Sequence, residues 1–180
     1  MIFVPTALDG VWQIEPERHS DPRGHFVRSF CAEEFAAHGL PATFVQCNIS
    51  YNALRGTLRG LHWQADPHPE GKLVRCTRGA IFDVAVDLRP GSPTLHRWAA
   101  AELTADNGRA LYVPPGFAHG FQTLADATEV FYQMTEAYHA SLARGARWDD
   151  SAFGITWPLP DPLVSERDLA HPKCDAHPQR

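Results

Sequence analysis

Short apolar runs separated by turn residues are the dominant pattern along this chain. Proline and glycine punctuate the runs throughout, and turn signals such as Asp21-Pro-Arg-Gly and Asp106-Asn-Gly stand between them. This pattern is typical of an all-β domain. It predicts strands over Val11–Glu15, His25–Phe30, Thr43–Tyr51, Gly56–Gln64, Lys72–Arg78, Ala80–Leu88, Arg97–Leu103, Arg109–Val113, His119–Leu124 and Glu129–Met134.

The predicted strands favour a fold that closes on itself. Strands of this number and spacing predict a double-sheet sandwich or jelly roll, because closure protects the strand edges. Cys31–His38 has the one clear helical pattern, and Gly39 follows where that helix would end. After Gly154 the chain is proline-rich, so we expect residues 155–180 to form an irregular segment covering the barrel. We therefore predict a single domain over residues 1–180.

Composition and charge exclude several classes of function. The chain has 180 residues, of which 44% are hydrophobic, and that length fits one domain with a sizeable core. Its net charge of −5 offers no electrostatic attraction for nucleic acid or an anionic membrane. No apolar run approaches the roughly 20 residues of a membrane-spanning helix.

The start of the chain and its cysteines predict a cytoplasmic protein. Residues 1–6 contain neither a basic region nor a cleavable apolar segment. Cys31, Cys47, Cys76 and Cys174 are scattered, without a Cys-x-x-Cys pair. In a chain that is not exported, we expect such cysteines to be reduced packing thiols.

The segment Gly56–Gln64 carries the first candidate chemistry, a histidine three residues after an arginine. In a regular strand Arg59 and His62 would point to opposite faces, because side chains alternate. For both to reach one ligand the strand must bend, and Gly56 and Gly60 are the positions where a bulge would lie. A lone histidine is more often a structural residue, so its interpretation depends on the remaining chain.

Further polar residues stand where a strand would normally bury apolar ones. They are His119, Lys72, Tyr132 and the row Gln46, Asn48 and Ser50. Taken alone, His119 is more often a structural histidine and Tyr132 more often a core tyrosine with a bonded hydroxyl, while an exposed lysine explains Lys72 equally well. The row is either a polar inner wall or an outward, solvated face.

The spacing of the histidines disfavours a metal site. A metal-binding barrel of this type would need His-x-His, a nearby carboxylate and a further histidine, but Gln64 stands two residues after His62. His62 and His119 alone make a poor ligand set, since catalytic zinc usually has three protein ligands. The chain also lacks a Gly-x-Ser-x-Gly elbow, a phosphate loop and a dinucleotide fingerprint. Phosphate binding would depend on separate arginines such as Arg23 and Arg59.

Taken in order, the motifs of this chain resemble one family almost from end to end. It is the dTDP-4-dehydrorhamnose 3,5-epimerases, cupin-type jelly rolls that act on nucleotide-linked 4-keto-6-deoxy sugars. Each motif is weak alone, but the whole set at this spacing is specific. The motifs are Asp21-Pro-Arg-Gly-His-Phe, Phe44-Val-Gln-Cys-Asn-Ile-Ser, Gly56-Thr-Leu-Arg-Gly-Leu-His-Trp-Gln, Gly71-Lys-Leu-Val-Arg, Phe82-Asp-Val-Ala-Val-Asp-Leu-Arg, Pro114-Pro-Gly-Phe-Ala-His-Gly-Phe, Arg147-Trp-Asp-Asp, Gly154-Ile-Thr-Trp-Pro and Ser165-Glu-Arg-Asp.

The resemblance implies catalytic roles at matching positions. His62 would be the general base, with Asp168 bonded to the far side of its ring. Tyr132 would be the general acid on the opposite face of the sugar, and Lys72 would stabilise the enolate oxygen. The C3 and C5 protons flank a C4 ketone, so removing either leaves charge on one oxygen, and a donor aimed there lowers the barrier without a metal or redox cofactor.

The resemblance also implies a substrate-binding set. Arg59 would bind the diphosphate, His119 would line the sugar pocket, and Tyr138 would stack on the base. The remaining substrate-binding positions are Gln46, Asn48, Arg167, Arg23 and Phe26. In the family the last two reach into the neighbouring subunit's site, so a homodimer is implied.

Two positions depart from the family pattern. The first motif usually continues Arg-Gly-x-Phe-x-Glu, but this chain has Arg28, and a glutamate five residues before the tryptophan of Trp-Asp-Asp is replaced by Ala143. Both glutamates belong to the substrate-binding shell, so an altered substrate stays open. Alternatives are an epimerase of one carbon or of another nucleotide sugar, a non-catalytic cupin that binds a sugar nucleotide, and a metal-dependent cupin oxygenase, which Gln64 disfavours.

Overall fold

The computed structural model describes residues 1–174. It contains fourteen strands and two short helices within those residues. The strands are β1 (Ile2–Pro5), β2 (Trp12–Glu15), β3 (Arg18–Asp21), β4 (Gly24–Val27), β5 (Gln46–Asn52), β6 (Thr57–Gln64), β7 (Lys72–Arg78), β8 (Ala80–Asp87), β9 (Trp98–Thr104), β10 (Ala110–Val113), β11 (Phe117–Thr123), β12 (Thr128–Met134), β13 (Ala143–Gly145) and β14 (Leu163–Val164). The helices are α1 (Ala32–Ala37) and α2 (Glu166–Leu169).

Two six-stranded sheets pack face to face. The first has the order β1-β2-β10-β7-β12-β5, and the second has β13-β6-β11-β8-β9 with β14 added beside β6. Pairing is antiparallel throughout both sheets except between β14 and β6. Strands β3 and β4 form a separate hairpin. The predicted all-β, cupin-type jelly roll with few short helices is confirmed.

The main core fills one end of the space between the sheets. It is made by alternate residues of the central strands, whose inward faces are apolar, and it includes Val74, Ile81, Ala85, Leu103, Leu111, Phe117 and Val130. Burying each of the larger side chains contributes about 1.5–3 kcal/mol. The other end of the same space is lined by polar residues and stays open, so the inner faces of the strands build both the core and the cavity.

A second apolar layer covers the outer face of β8 and β11. Val84, Val86 and Ala118 are fully buried there under Phe153, and Trp157 packs on Phe82 with ring centroids 6.2 Å apart. Because both of its faces are covered, β8 reads as a continuous apolar run rather than an alternating one.

The segment from residue 155 lies against the second sheet. Leu163 pairs with Thr57 through β14, and the amide of Gln122 donates to the backbone oxygen of Leu159 at 3.0 Å. The sequence predicts an irregular segment here, and the structure contains β14 and the one-turn helix α2 within it; residues 175–180 lie outside the described residues. The assignment of the whole chain to one domain stays a prediction. No helix among residues 1–174 is long and apolar enough to span a membrane.

The strand predictions differ from the structure mainly near the N-terminus. The segment predicted over His25–Phe30 ends at Val27, and its strand pairs only with β3, outside both sheets. The segment predicted from Thr43 begins at Gln46. The helix predicted over Cys31–His38 is confirmed as α1. Strands β1, β3, β13 and β14 were not predicted, because each has only two to four residues, and β13 and β14 also depend on pairing with the distant β6.

Candidate active site

A cavity of about 430 Å³ opens between the two sheets. One wall comes from β6 and β11 of the second sheet, and the facing wall comes from β5, β7 and β12 of the first. Nine residues predicted to act in the site line this cavity: Gln46, Asn48, Arg59, His62, Lys72, His119, Tyr132, Tyr138 and Arg167. Ser50 lines it too, so the polar row of β5 is an inner wall rather than an outward face.

A bulge in β6 brings Arg59 and His62 into the same cavity. His62 pairs with His119 and Arg59 pairs with Phe121, so three steps of β6 match two steps of β11. Gly60 lies in the bulge with φ +129°, and a Cβ there would stand 2.6 Å from the Cα of the adjacent β11 glycine. Only glycine fits this position. The bend predicted at Gly60 is therefore confirmed.

A histidine–carboxylate pair forms at this bulge. His62 Nε2 lies 2.7 Å from Asp168 Oδ1, and Asp168 is buried while the imidazole is partly exposed to the cavity. Helix α2 positions the carboxylate, with Ser165 as N-cap accepting the amide of Asp168 at 3.1 Å. Burial disfavours the carboxylate charge, but the hydrogen bond and charge of His62 outweigh it and hold the Asp168 pKa below its usual value. Ionised Asp168 can only accept a hydrogen bond, so Nε2 carries the imidazole proton and Nδ1 is left unprotonated.

A second imidazole lies against the same carboxylate. His171 Nε2 is 3.6 Å from Asp168 Oδ1, and its ring meets that of His62 edge to face with centroids 5.6 Å apart. Burial, and then the nearby charge of His62, lower the His171 pKa. Sequence reasoning missed this residue, although its position three residues after Asp168 at the end of a helical turn was a usable signal.

The neighbouring strand carries another histidine–carboxylate pair. His119 Nε2 lies 2.7 Å from Asp83 Oδ1, and both side chains are buried. Burial raises the Asp83 pKa, against the opposing effects of His119 and Lys72. Asp83 was not predicted as a site residue; the signal was a carboxylate inside the apolar run of β8.

The facing wall holds a half-buried tyrosine and a buried ion pair. Tyr132 projects from β12, and burial raises its pKa, with the charge of Glu70 adding to the effect. Lys72 begins β7 and its ammonium bonds the carboxylate of Glu70, so the lysine is not an exposed residue. Glu70 was missed because it lies in a turn region before the strand. Tyr132 therefore stays protonated on the wall opposite His62.

Amide side chains organise the mouth of the cavity. Gln46 accepts the backbone amide of Tyr138 at 3.0 Å, which ties β5 to the loop after β12. The Arg59 guanidinium donates to buried Asn52 at 2.7 Å, and that contact holds its charge in the cavity. Gln64 accepts the amide of His139 at 2.7 Å and so fixes the same loop from the other wall. Tyr138 itself is half exposed.

The two positions that depart from the family pattern lie in different places. Ala143 lines the cavity, while Arg28 lies outside it and pairs with Glu34 at 2.7 Å. Arg23 and Phe26 lie on the β3–β4 hairpin, strongly exposed and outside the cavity of their own chain. A single chain therefore brings together all the predicted site residues except Arg23 and Phe26.

Two clusters among the described residues have metal-ligand character. One joins His62, Asp168 and His171, and the other joins His68, Glu136 and His139, which do not line the cavity. Within each cluster the candidate ligand atoms lie within 4.8 Å of one another. Neither contains the His-x-His pattern typical of metal-binding barrels of this type, because their members come from separate segments.

Comparisons with known proteins give one consistent result. A family model described as dTDP-4-dehydrorhamnose 3,5-epimerase matches residues 5–176. A protein of that name from Sinorhizobium fredii is 47% identical over 173 residues, which is 96% of this chain and 89% of the relative. A dTDP-4-dehydrorhamnose 3-epimerase from Streptomyces niveus is 39% identical over 91% of this chain and 79% of its own length. The crystal structure of the 3,5-epimerase from Bacillus anthracis with TDP and PPi bound superposes with a TM-score of 0.93 at 41% identity, covering 96% of this chain and 98% of that one.

Proposed function

The chain belongs to the dTDP-4-dehydrorhamnose 3,5-epimerase family and is an isomerase, and we propose that its cavity converts dTDP-4-dehydro-6-deoxyglucose to dTDP-4-dehydrorhamnose. The observation that carries this proposal is the pairing of a histidine–carboxylate dyad with a protonated tyrosine on the facing wall. Inverting a carbon next to a ketone requires a base on one face and an acid on the other. These residue types on these walls meet that requirement.

Proton abstraction is assigned to His62. Because Nε2–H of His62 donates to Asp168, Nδ1 is the nitrogen that can take a proton from C5 or C3 of the sugar. The resulting imidazolium is stabilised by the same carboxylate. The negative charge passes to the C4 oxygen as an enolate, and Lys72 is the buried cation available to stabilise it. The Lys72–Glu70 pair keeps that ammonium in place before substrate enters.

Reprotonation is assigned to Tyr132. The tyrosine projects from the first sheet, while His62 projects from the second, so a sugar between the walls presents opposite faces to them. A raised pKa keeps the phenol protonated until the enolate forms. Delivery of its proton to the face opposite the one deprotonated inverts the carbon. No cofactor enters this scheme.

Substrate binding is assigned to the remaining cavity residues. Arg59 would hold the diphosphate, Tyr138 would stack on the base, and His119 would line the sugar pocket. Gln46, Asn48 and Arg167 would complete the contacts from the chain itself. The position of Tyr138 at the mouth, half exposed and tied to β5, supports a stacking role.

A homodimer is proposed to complete the site. Arg23 and Phe26 lie on an exposed hairpin away from their own cavity, and Phe26 is 72% exposed. The outer face of edge strand β5 also presents Ile49 and Tyr51 to solvent, an apolar surface that a second copy could cover. Cytoplasmic location stays a prediction from the sequence.

A single-carbon epimerase is the second candidate. The Streptomyces niveus relative is described as a 3-epimerase, and Ala143 lines the cavity at a position where the resemblance leads us to expect a glutamate. Loss of one hydrogen-bonding group changes how the sugar is held after its first inversion, which would favour release at that stage.

The test is proton NMR of the purified protein with dTDP-4-keto-6-deoxyglucose in D₂O. Deuterium entering at C3 and C5, with formation of the rhamno-configured product, is the expected result. Entry at one carbon would assign the second candidate, and no entry at either would contradict both. EDTA in a parallel sample is expected to leave the rates unchanged; a loss that added metal restores would favour the metal-dependent alternative.

A further inference from the structure

The catalytic dyad has an additional imidazole beside it. We infer that His62, Asp168 and His171 form an inhibitory binding site for a zinc-type divalent cation. The inference rests on the proposed function, because the inhibition is expected from the role assigned to His62. The proposed epimerisation does not require a metal ion. His171, on which the cation site depends, has no step in that reaction.

The distances around Asp168 suit a tetrahedral metal ion. Zinc bonds imidazole nitrogen and carboxylate oxygen at about 2.0–2.2 Å, so its neighbouring ligand atoms stand about 3.3 Å apart. Asp168 Oδ1 lies 2.7 Å from His62 Nε2 and 3.6 Å from His171 Nε2, which brackets that separation. The ligand atoms of the three residues all lie within 4.8 Å of one another, so side-chain movements of about 1 Å or less would bring both imidazoles and the carboxylate to bonding distance. Two imidazoles and one carboxylate form a ligand set that zinc uses in proteins.

An unsatisfied nitrogen points to a ligand at this place. His171 Nε2 is buried and has no hydrogen-bond partner among residues 1–174, although a carboxylate oxygen lies 3.6 Å away. Buried polar atoms in folded proteins nearly always have a partner, so an exception next to two further ligand atoms calls for a specific occupant. A cation bound to all three atoms would satisfy it.

The local backbone leaves room for the imidazole. Gly145 of β13 pairs with His62, and a Cβ at Gly145 would stand 2.3 Å from His171 Nε2. Any larger residue at that position would displace the ring from Asp168. The strand beside the dyad is therefore shaped to hold an imidazole against the carboxylate.

A metal ion at this site would remove the general base. Neutral imidazole carries one proton, which is on Nε2 while that nitrogen donates to Asp168. Coordination of the ion at Nε2 moves this proton to Nδ1, the atom assigned to abstract the substrate proton. The ion also neutralises the Asp168 charge that stabilises the imidazolium. Inhibition should therefore lower kcat while substrate binding persists.

The second cluster supplies a matched control. His68, Glu136 and His139 also combine two imidazoles with a carboxylate, but they do not line the cavity, and their side chains are more exposed than those of Asp168 and His171. A cation bound there would leave the proton of His62 in place. Inhibition through the dyad must depend on His171 and be independent of His139.

The experiment is a titration of epimerase activity with zinc chloride in the wild type, His171→Gln, His171→Leu and His139→Gln, each normalised to its own zinc-free rate. We expect the zinc concentration for half inhibition to rise at least about tenfold in both His171 variants, because losing even an outer partner of a metal ligand costs 10- to 100-fold in affinity. His139→Gln should match the wild type, EDTA should restore activity, and magnesium should not inhibit, since it prefers oxygen ligands. Equal sensitivity of all variants, or protection by His139→Gln, would overturn the inference.

Direct binding separates this inference from the proposed function. Calorimetric titration of zinc into the wild type and folded His171→Leu, checked by thermal unfolding, reads the site without any substrate. A tight event that is lost or weakened at least about tenfold in the variant supports the site even if no epimerase activity is found. Identical binding in the two proteins contradicts it even if the epimerase is fully active.

Discussion

Two histidine–aspartate pairs stand side by side in this molecule, and their surroundings differ. His62 with Asp168 and His119 with Asp83 each have a nitrogen–oxygen distance of 2.7 Å, and the two histidines pair directly across β6 and β11. The His62 side chain is 39% exposed, whereas that of His119 is 9% exposed. The same hydrogen bond therefore holds one accessible ring, that of His62, and one largely buried ring, that of His119, in the wall of the same cavity.

The source of each carboxylate explains the difference. Asp83 belongs to β8 of the same sheet, fully buried, and burial raises its pKa. Asp168 comes from α2, more than a hundred residues along the chain, and its charge is supported by His62 strongly enough to lower its pKa despite burial. An ionised carboxylate bonded to an accessible imidazole raises the basicity of that ring, as proposed for His62. In the largely buried pair, the carboxylate fixes the orientation of His119. The roles proposed for the two histidines therefore follow from burial rather than from residue type.

The largest expected effect separates the two histidines. His62→Asn should lower kcat by about 100- to 10,000-fold, the usual range for a lost general base. His119→Asn, the matched change in the largely buried pair, should act mainly on KM. Steady-state kinetics and deuterium incorporation would both report the difference. Comparable losses of kcat in the two variants would mean that the exposure of the ring does not decide its role.

Replacing Tyr132, the proposed acid on the facing wall, should separate proton abstraction at His62 from inversion of the carbon. Tyr132→Phe should slow epimerisation by about 100-fold or more, since protonation from the opposite face is lost. Exchange of the substrate proton at His62 should continue, because the enolate still forms. Proton NMR in D₂O follows exchange and inversion in one sample. Equal loss of both would show that Tyr132 is needed before the enolate forms, and near-normal inversion would remove it as the acid.

How far the sequence could predict this arrangement depends on the range of each contact. The bulge in β6 was predictable because its cause, Gly60, lies between Arg59 and His62. The inner row of β5 was predictable in pattern but not in direction, since alternation alone does not tell an inner wall from an outer face. The strand over His25–Phe30 was placed wrongly in extent because the hairpin pairs with itself rather than with a sheet.

Residues joined across the fold were beyond sequence reasoning. Asp168 entered only through resemblance to a family, because its contact with His62 spans 106 positions of the chain. Asp83 and His171 each carried a local signal, a carboxylate within an apolar strand and a histidine three residues after Asp168, but their place beside His119 and His62 is visible only in the folded chain. The space that Gly145 leaves for His171 is likewise visible only after the strands are paired.

Replacing each carboxylate by an amide should lower kcat at one pair and the free energy of unfolding at the other. Asp168→Asn is expected to lower kcat by about 10- to 100-fold, the typical effect of losing the partner that orients a working histidine. Asp83→Asn should instead destabilise the fold by about 1–3 kcal/mol, the penalty for a buried polar group with an imperfect partner. Kinetics and urea denaturation of both variants would test this. A larger kcat loss in Asp83→Asn would reverse the assignment of the two pairs.

The smallest effect is on how stability changes with pH. The Asp168 pKa is lower in the folded chain, so its stabilisation is present above the unfolded value near 3.8 and is lost as the pH falls through the folded pKa. The Asp83 pKa is raised by burial, so its contribution is present below 3.8 and is lost as the pH rises through its folded pKa. The two pairs thus oppose each other in the acid range.

Free energies of unfolding at about pH 3 and about pH 5, from urea titrations, measure this opposition, with one pKa unit worth about 1.4 kcal/mol. The gain in stability from the lower to the higher pH should shrink in Asp168→Asn, because the group that ionises favourably in the folded chain is gone. In Asp83→Asn the gain should grow, because a group that resists ionisation there has been removed. Changes of the same sign in both variants would mean that Asp168 and Asp83 titrate alike, and the contrast between the pairs would then rest on the exposure of the histidines alone.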